Sequence, residues 1–151
     1  MLKPRVFLKG IVVRGFGRGS RLLGFPTANI GAVDLQEQNA IDSFLSNNDC
    51  GIYIGFAQVQ ADQIRRAAIS VGWNPTFQDV KKKVIEAHVL HNYGEGVEHY
   101  GQWIKLLLVA RIRPEIGFTS LDELKVEIQK DCDFARENLS YENDLSCFSK
   151  L

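Results

Sequence analysis

The sequence has no Gly-Lys dipeptide, so it holds no P-loop, whose lysine reaches phosphates from the start of a helix. The Lys, His-Arg-Asp and Asp-Phe-Gly set of protein kinases is missing as well. No apolar run reaches membrane-spanning length, and Met1-Leu2-Lys3-Pro4-Arg5 passes directly into strand-like sequence, so neither a membrane partner nor a secretory leader is expected. Excess charge of one sign is also lacking. Lys+Arg and Asp+Glu number 18 each, which argues against a nucleic acid as the main partner. Cysteine is scarce: Cys50, Cys132 and Cys147 are odd in number and far apart. That argues against a disulfide framework, does not suit zinc-ligand spacing and favours a reducing, intracellular compartment. His88 and His91 are three apart on an expected strand, so they point to opposite faces and cannot jointly grip a metal. Repeats, linkers and a second domain are absent. At 151 residues the chain reads as one domain, large enough to bury roughly two-thirds of its surface without staples.

What is present is concentrated in residues 10–30. An apolar run, Ile11-Val12-Val13, feeds a loop in which Gly15, Gly17 and Gly19 alternate with Arg14, Arg18 and Arg21. Glycines let backbone N–H groups turn toward an anion, and arginines add fixed positive charge. No helix follows, since Leu22 to Ile30 contains Gly24 and Pro26 and shows no helical period; a dinucleotide fingerprint is thereby excluded. Pro26-Thr27-Ala28-Asn29 instead supplies a hydroxyl and an amide oxygen two residues apart, on one side of an extended chain. These are neutral oxygen ligands of the kind Mg²⁺ accepts when phosphates complete its shell. The block reads as a phosphate-and-metal site, or as a solvated hairpin loop between two strands.

Most of the remaining chain reads as strands: Arg5 to Gly15, Gly51 to Gln60, Arg66 to Trp73, Val84 to His91 and Trp103 to Ile112. In the fourth, Ile85, Ala87 and Val89 form one apolar face while Glu86 and His88 lie on the other; in the fifth, Ile104, Leu106, Leu108, Ala110 and Ile112 oppose a mixed face with Lys105 and Arg111. Turn signals at Asn74-Pro75, Gly94-Glu95-Gly96 and Arg113-Pro114 separate these runs, which predicts an antiparallel sheet curled into a barrel. One helix is well signalled. Ser120-Leu121-Asp122-Glu123 is a capping box, and Leu121, Leu124, Ile128, Cys132, Ala135 and Leu139 recur at helical spacing, predicting a helix that covers one face or mouth of the barrel. Val33 to Cys50 is polar and weakly periodic, which predicts a surface loop with no more than a turn of helix.

Glu86 is the most interesting carboxylate, because glutamate is disfavoured on strands. It is either part of a solvated outer face or a residue inside a barrel mouth, where partial burial would suit a general base. His88 and His91 read first as packing or hydrogen-bonding residues. Arg113-Pro114-Glu115 and Phe118, between the last strand and the helix, form a rigid turn or present a guanidinium and a ring to a planar ligand. Trp73-Asn74-Pro75-Thr76 reads as a tight turn packed by Trp73, or as part of a pocket lining.

Taken together, these blocks resemble the riboflavin kinase family. The resemblance is carried by Gly24-Phe25-Pro26-Thr27-Ala28-Asn29, Ser70-Val71-Gly72-Trp73-Asn74-Pro75-Thr76-Phe77, Lys82-Lys83, Glu86 to His91, Ile112-Arg113-Pro114-Glu115 and Phe118-x-Ser120-Leu121-x-x-Leu124, over roughly residues 5–139 in unbroken order. It implies a mainly β fold, a six-stranded antiparallel Greek-key barrel with a C-terminal helix at about 120–139, followed by a polar tail over 140–151. It further implies transfer of the γ-phosphate of ATP to the ribityl 5′-hydroxyl of riboflavin, giving FMN and ADP. Thr27 and Asn29 would hold Mg²⁺ (Zn²⁺ or Mn²⁺ being left open) and phosphate, with Gly15 and Arg21 at the nucleotide and Glu86 as the catalytic carboxylate. Val89, His91 and Tyr100 would lie near the adenine; Arg113, Phe118 and Leu121 would meet the flavin. Arg21 stands where many members carry lysine, and residues 31–50 match no family block. No room exists for the adenylyltransferase module of bacterial relatives, so the chain resembles the monofunctional eukaryotic type and is expected as a monomer.

Two rival readings use the same residues. An FMN-binding split-barrel oxidoreductase would leave the metal-phosphate block unexplained. A single-stranded nucleic-acid-binding barrel would use Arg14, Arg18 and Arg21 with Phe16 and Phe25 as stacking platforms, against the zero net charge. A dead scaffold is disfavoured by the full Thr27, Asn29 and Glu86 set. The last residues, Ser149-Lys150-Leu151, spell the peroxisomal import tripeptide, so an import receptor is an expected partner if Leu151 is the true C-terminus, and a cytoplasmic location is expected otherwise.

Overall fold

Alternating apolar residues define six strands that close on themselves: β1 (Val6–Val13), β2 (Ala28–Gly31), β3 (Gly51–Val59), β4 (Arg65–Asn74), β5 (Lys82–Val89) and β6 (Trp103–Arg113), with helices α1 (Leu35–Asn47) and α2 (Leu121–Asn138). The computed structural model describes residues 5–13, 28–74, 82–91, 99–115 and 120–140. Gly15, Arg21, Thr27, Phe118 and Ser149-Lys150-Leu151 lie outside the described residues. The barrel order is β1-β2-β5-β4-β3-β6, and every pairing is antiparallel. β3, β4 and β5 are successive neighbours and β6 returns beside β3, which is a Greek key. The expected fold is therefore the observed one.

Inward-facing positions build the core. Leu8 and Val12 of β1, Ala28 and Ile30 of β2, Ile69 and Val71 of β4, Ile85 and Ala87 of β5, and Leu106 and Leu108 of β6 are all buried in it. With only six strands, side chains fill the interior and leave it a packed core rather than a ligand cavity. A second cluster forms outside the barrel, where Ala135 and Leu139 from the α2 end of the chain meet Ile54, Phe56, Leu107 and Val109. β3 and β6 are consequently apolar on both faces.

Two expectations need correction. The apolar face read for β6 does not stay inward along its whole length. Register shifts between Ile52 and Tyr53 and between Ile54 and Gly55 turn the strand, so Ala110 and Ile112 pack against the outer cluster while Ile104, Leu106 and Leu108 stay in the core. At Gly55 the strands approach so closely that an added Cβ would stand 2.9 Å from the Leu107 carbonyl carbon.

The second correction is Val33 to Cys50, within which Leu35–Asn47 folds as a 13-residue helix. Asp34 caps it by accepting a hydrogen bond from the Glu37 N–H (2.8 Å), and the Glu37 carboxylate accepts one from the Val33 N–H (2.9 Å). Ile41 and Phe44 enter the barrel core, so α1 closes one mouth. The Phe44 ring meets Tyr53 edge-on at 5.8 Å between centroids, and the Tyr53 hydroxyl donates to the Asp49 carbonyl (2.6 Å). The helix signalled at Ser120 is α2; its cap accepts from the Glu123 N–H (3.1 Å), and it covers a face of the barrel rather than a mouth.

Candidate functional site

β-sheet register decides which side chains are neighbours, since residues directly opposite each other share a face at about 5 Å between Cβ atoms. In β5 the core takes Ile85, Ala87 and Val89, so alternation sends Glu86 and His88 outward. Glu86 is opposite Asn29 on β2 and opposite Ser70 on β4. Followed further, the same register joins Val13 to Asn29 at one end and Ser70 to Ile52 and then Arg113 at the other. One row on the outer face thus strings together the amide expected at a metal, the carboxylate expected in catalysis and the arginine expected at a flavin. Glu86 and Asn29 are each half-buried. The barrel-mouth placement of Glu86 is incorrect, because α1 and core side chains occupy the interior.

Arg113 ends this row in a fixed pose. Its Nε donates to Oδ1 of Asp131 on α2 (2.8 Å) and its Nη2 to Oδ2 (2.7 Å), a two-bond fork, while Nη1 donates to the Pro114 carbonyl (3.2 Å). Asp131 is buried, and this pair pins α2 beside the row. Sequence reasoning passed over Asp131. The available signal was a charged residue on the apolar stripe of the helix, three beyond Ile128 and four before Ala135, which implies a buried partner. Leu121 is the first residue of α2, directly after its cap, and so begins the element that Arg113 holds.

The histidines separate. His88 is buried on the outer face, opposite Ala68. Burial first, and the Arg136 charge second, push its imidazole down to about 4 from the ordinary 6.5. It is neutral at pH 7 and adds no cation beside Glu86. His91 is half-buried just past the end of β5, its N–H donating to the Val89 carbonyl (2.9 Å). The Val89 side chain belongs to the barrel core, which leaves its backbone for any nucleotide contact. Tyr100 is exposed in the turn before β6, beside the end of β1 where Gly101 N–H donates to the Val12 carbonyl (2.8 Å). Trp73 is exposed too, with the Lys83 ammonium 5.3 Å from its ring centroid; the turn expected at Trp73-Asn74-Pro75-Thr76 lies mostly outside the described residues. Among the described residues no three His, Cys, Asp or Glu side chains gather to hold a metal, and no helix is long and apolar enough to cross a membrane.

A single closed barrel of six antiparallel strands, with Asn29, Glu86, Ser70 and Arg113 in one row on its outer wall, places the chain among the small closed β-barrel proteins. Comparison with known proteins narrows the class. Residues 2–139 match the family described as Flavokinase, riboflavin kinase. The riboflavin kinase of Mus musculus is 38% identical over 133 residues, covering 88% of this chain and 80% of that one. Among solved structures, riboflavin kinase from Trypanosoma brucei superposes with a TM-score of 0.60 at 27% identity, covering 87% of this chain and 77% of that one. A structure from Streptococcus pneumoniae described as a macrolide-efflux protein superposes with a TM-score of 0.67 at 28% identity; the match covers 89% of this chain but only 39% of that one. The chain belongs to the riboflavin kinase family.

Proposed function

We propose that the protein transfers the γ-phosphoryl group of ATP to the ribityl 5′-hydroxyl of riboflavin, and that Glu86 accepts the hydroxyl proton. The bond formed joins the 5′-oxygen to the γ-phosphorus, the bond broken is the one between that phosphorus and the β,γ-bridging oxygen, and the products are FMN and ADP. The observation that carries this reading is the register Asn29–Glu86–Ser70, which sets an amide oxygen and a carboxylate side by side on rigid strands. Glu86 would orient the hydroxyl and take its proton as the new bond forms. Asn29 with Thr27 would hold Mg²⁺, and the donor set fits: a neutral amide oxygen next to a carboxylate suits a hard cation whose remaining ligands are phosphates and water. Bound there, Mg²⁺ would neutralise charge developing on the phosphates. Gly15 and Arg21 would receive the nucleotide, with His91 and Tyr100 toward the adenine. Arg113, Phe118 and Leu121 would meet the flavin.

Purified protein supplied with riboflavin, ATP and Mg²⁺ should form FMN, resolved by chromatography. Glu86→Gln keeps size and removes the base, and its rate should fall about 10²- to 10⁴-fold, toward the lower end because a loose phosphoryl-transfer transition state demands little early deprotonation. Riboflavin and ATP affinities should hardly change. A folded Glu86→Gln protein within a few-fold of the parent rate would remove Glu86 from the reaction. Retained FMN without ATP consumption would point to an oxidoreductase instead.

A further inference from the structure

Gly72 lies on the outer face of β4, two residues beyond Ser70 and opposite Val84, so it adjoins the Glu86 row. Its missing side chain is replaced by another residue's. A Cβ placed on Gly72 would stand 2.6 Å from Cδ and 3.0 Å from Oε2 of Glu115, with Oε1 closer still. The Glu115 carboxylate, reaching back from beyond β6, therefore sits where a position-72 side chain would project, diagonal to Glu86 across one strand. Glu115 as a whole is exposed, but its carboxyl end is partly desolvated against the strand, which raises its pKa from the ordinary 4.5, while the Arg113 charge pulls the other way.

We infer that Glu115 is a specificity-determining residue that accepts hydrogen bonds from the secondary hydroxyls of the substrate's polyol chain. The inference rests on the reading given above, in which the 5′-hydroxyl meets Glu86 and the ring system meets Arg113. A chain joining those two ends must cross Ser70 and Ile52, with Gly72 two residues to the side of Ser70, and there it passes a carboxyl group with two acceptor oxygens. Carboxyl oxygens accept hydroxyl donors well, and a flavin without those hydroxyls would displace water from them and give no hydrogen bond in return. Glycine at 72 is then a requirement of the site, since any side chain would displace the carboxylate.

The test compares riboflavin with a flavin whose ring nitrogen carries a plain 5-hydroxypentyl chain, both assayed for ATP-dependent phosphorylation. Glu115→Gln should lower kcat/KM for riboflavin about 10- to 100-fold and shrink the preference for riboflavin over the hydroxypentyl flavin by the same factor. Gly72→Ala should reproduce that collapse, because the carboxylate is the movable end of a flexible side chain and yields to the new methyl. The double variant should be no worse than either single one. Equal losses for both flavins would assign Glu115 a merely structural role and overturn the inference, as would an undiminished preference in Glu115→Gln. Failure of the parent chain to phosphorylate riboflavin would sink the kinase reading itself and this assignment with it.

Discussion

Burial of His88 ties stability to pH in a direction that can be worked out beforehand. The folded imidazole titrates at about 4 and an unfolded one at 6.5, so between those values the unfolded chain binds a proton that the folded chain refuses. Because the folded pKa is depressed, the effect is nil well above pH 6.5, grows as pH falls below it, and is complete below about pH 4. The full separation corresponds to about 3 kcal/mol, and at pH 5 the loss is about 2 kcal/mol. Against the 5–15 kcal/mol typical of a domain, that is a large fraction. Urea unfolding followed by fluorescence at several pH values between 4.5 and 7.5 would measure it, with His88→Leu as the control. The leucine variant carries no ionisable group at this position, so the difference in unfolding free energy between it and the parent should shift in the variant's favour by about 2 kcal/mol from pH 7.5 to pH 5. Parallel curves for the two proteins would show that His88 is not buried uncharged beneath α2, and the argument would fail.

Two further outcomes follow from the row and its anchor. Asn29→Ala should impair use of Mg-ATP far more than riboflavin binding, measured by nucleotide kinetics beside a flavin fluorescence titration; equal weakening of both would give Asn29 a role in the loop fold alone. Asp131→Ala leaves the partly buried Arg113 guanidinium without its carboxylate partner and should cost about 2 kcal/mol in urea unfolding, and combining it with Arg113→Leu should recover part of the loss.

Five of the six strands were legible because their periodicity is clean; β2, only four residues long, read merely as extended chain. Ile85, Ala87 and Val89 announced the inward face of β5, and that alone sends Glu86 outward. The barrel-mouth alternative for Glu86 came from assuming that an outer face must be a solvated one. Here the outer face of β3 and β6 is covered by α2, so Leu107 and Val109 are as buried as Leu106 and Leu108. Helix α1 was missed because its apolar stripe is narrow: Ile41 and Phe44 are its buried apolar residues, with Leu45 partly buried beside them. Its start was readable all the same, since Asp34-Leu35-Gln36-Glu37 is a capping pattern. Contacts across elements were not legible. Nothing local to Gly72 predicts that Glu115 fills its place, and nothing local to Arg113 names Asp131. Both depend on how far the sheet register is staggered when the barrel closes.

That stagger also bears on the proposed placement of the chemistry outside the barrel. A six-stranded barrel has no room within for a ligand. Its strands tilt, however, so a register row does not return to its starting height. The row that leaves β1 at Val13 reaches β6 at Arg113, although the β6 residue opposite Ile11 is Trp103. It therefore spirals along the wall and spreads its side chains over a length that a level ring could not offer. Asn29 to Glu86 is one strand spacing, about 5 Å, and Glu86 to Arg113 is three, about 14 Å along the sheet. The short interval suits a phosphoryl group moving from metal-bound nucleotide to a hydroxyl. The long one suits a polyol chain followed by a fused ring system, ending where Arg113 and α2 are locked together by Asp131. A substrate laid along this row would have its reacting end on β-strands, which move little, and its ring end against the helix. Loosening the Arg113–Asp131 fork should therefore raise KM for riboflavin before it touches the rate of phosphoryl transfer.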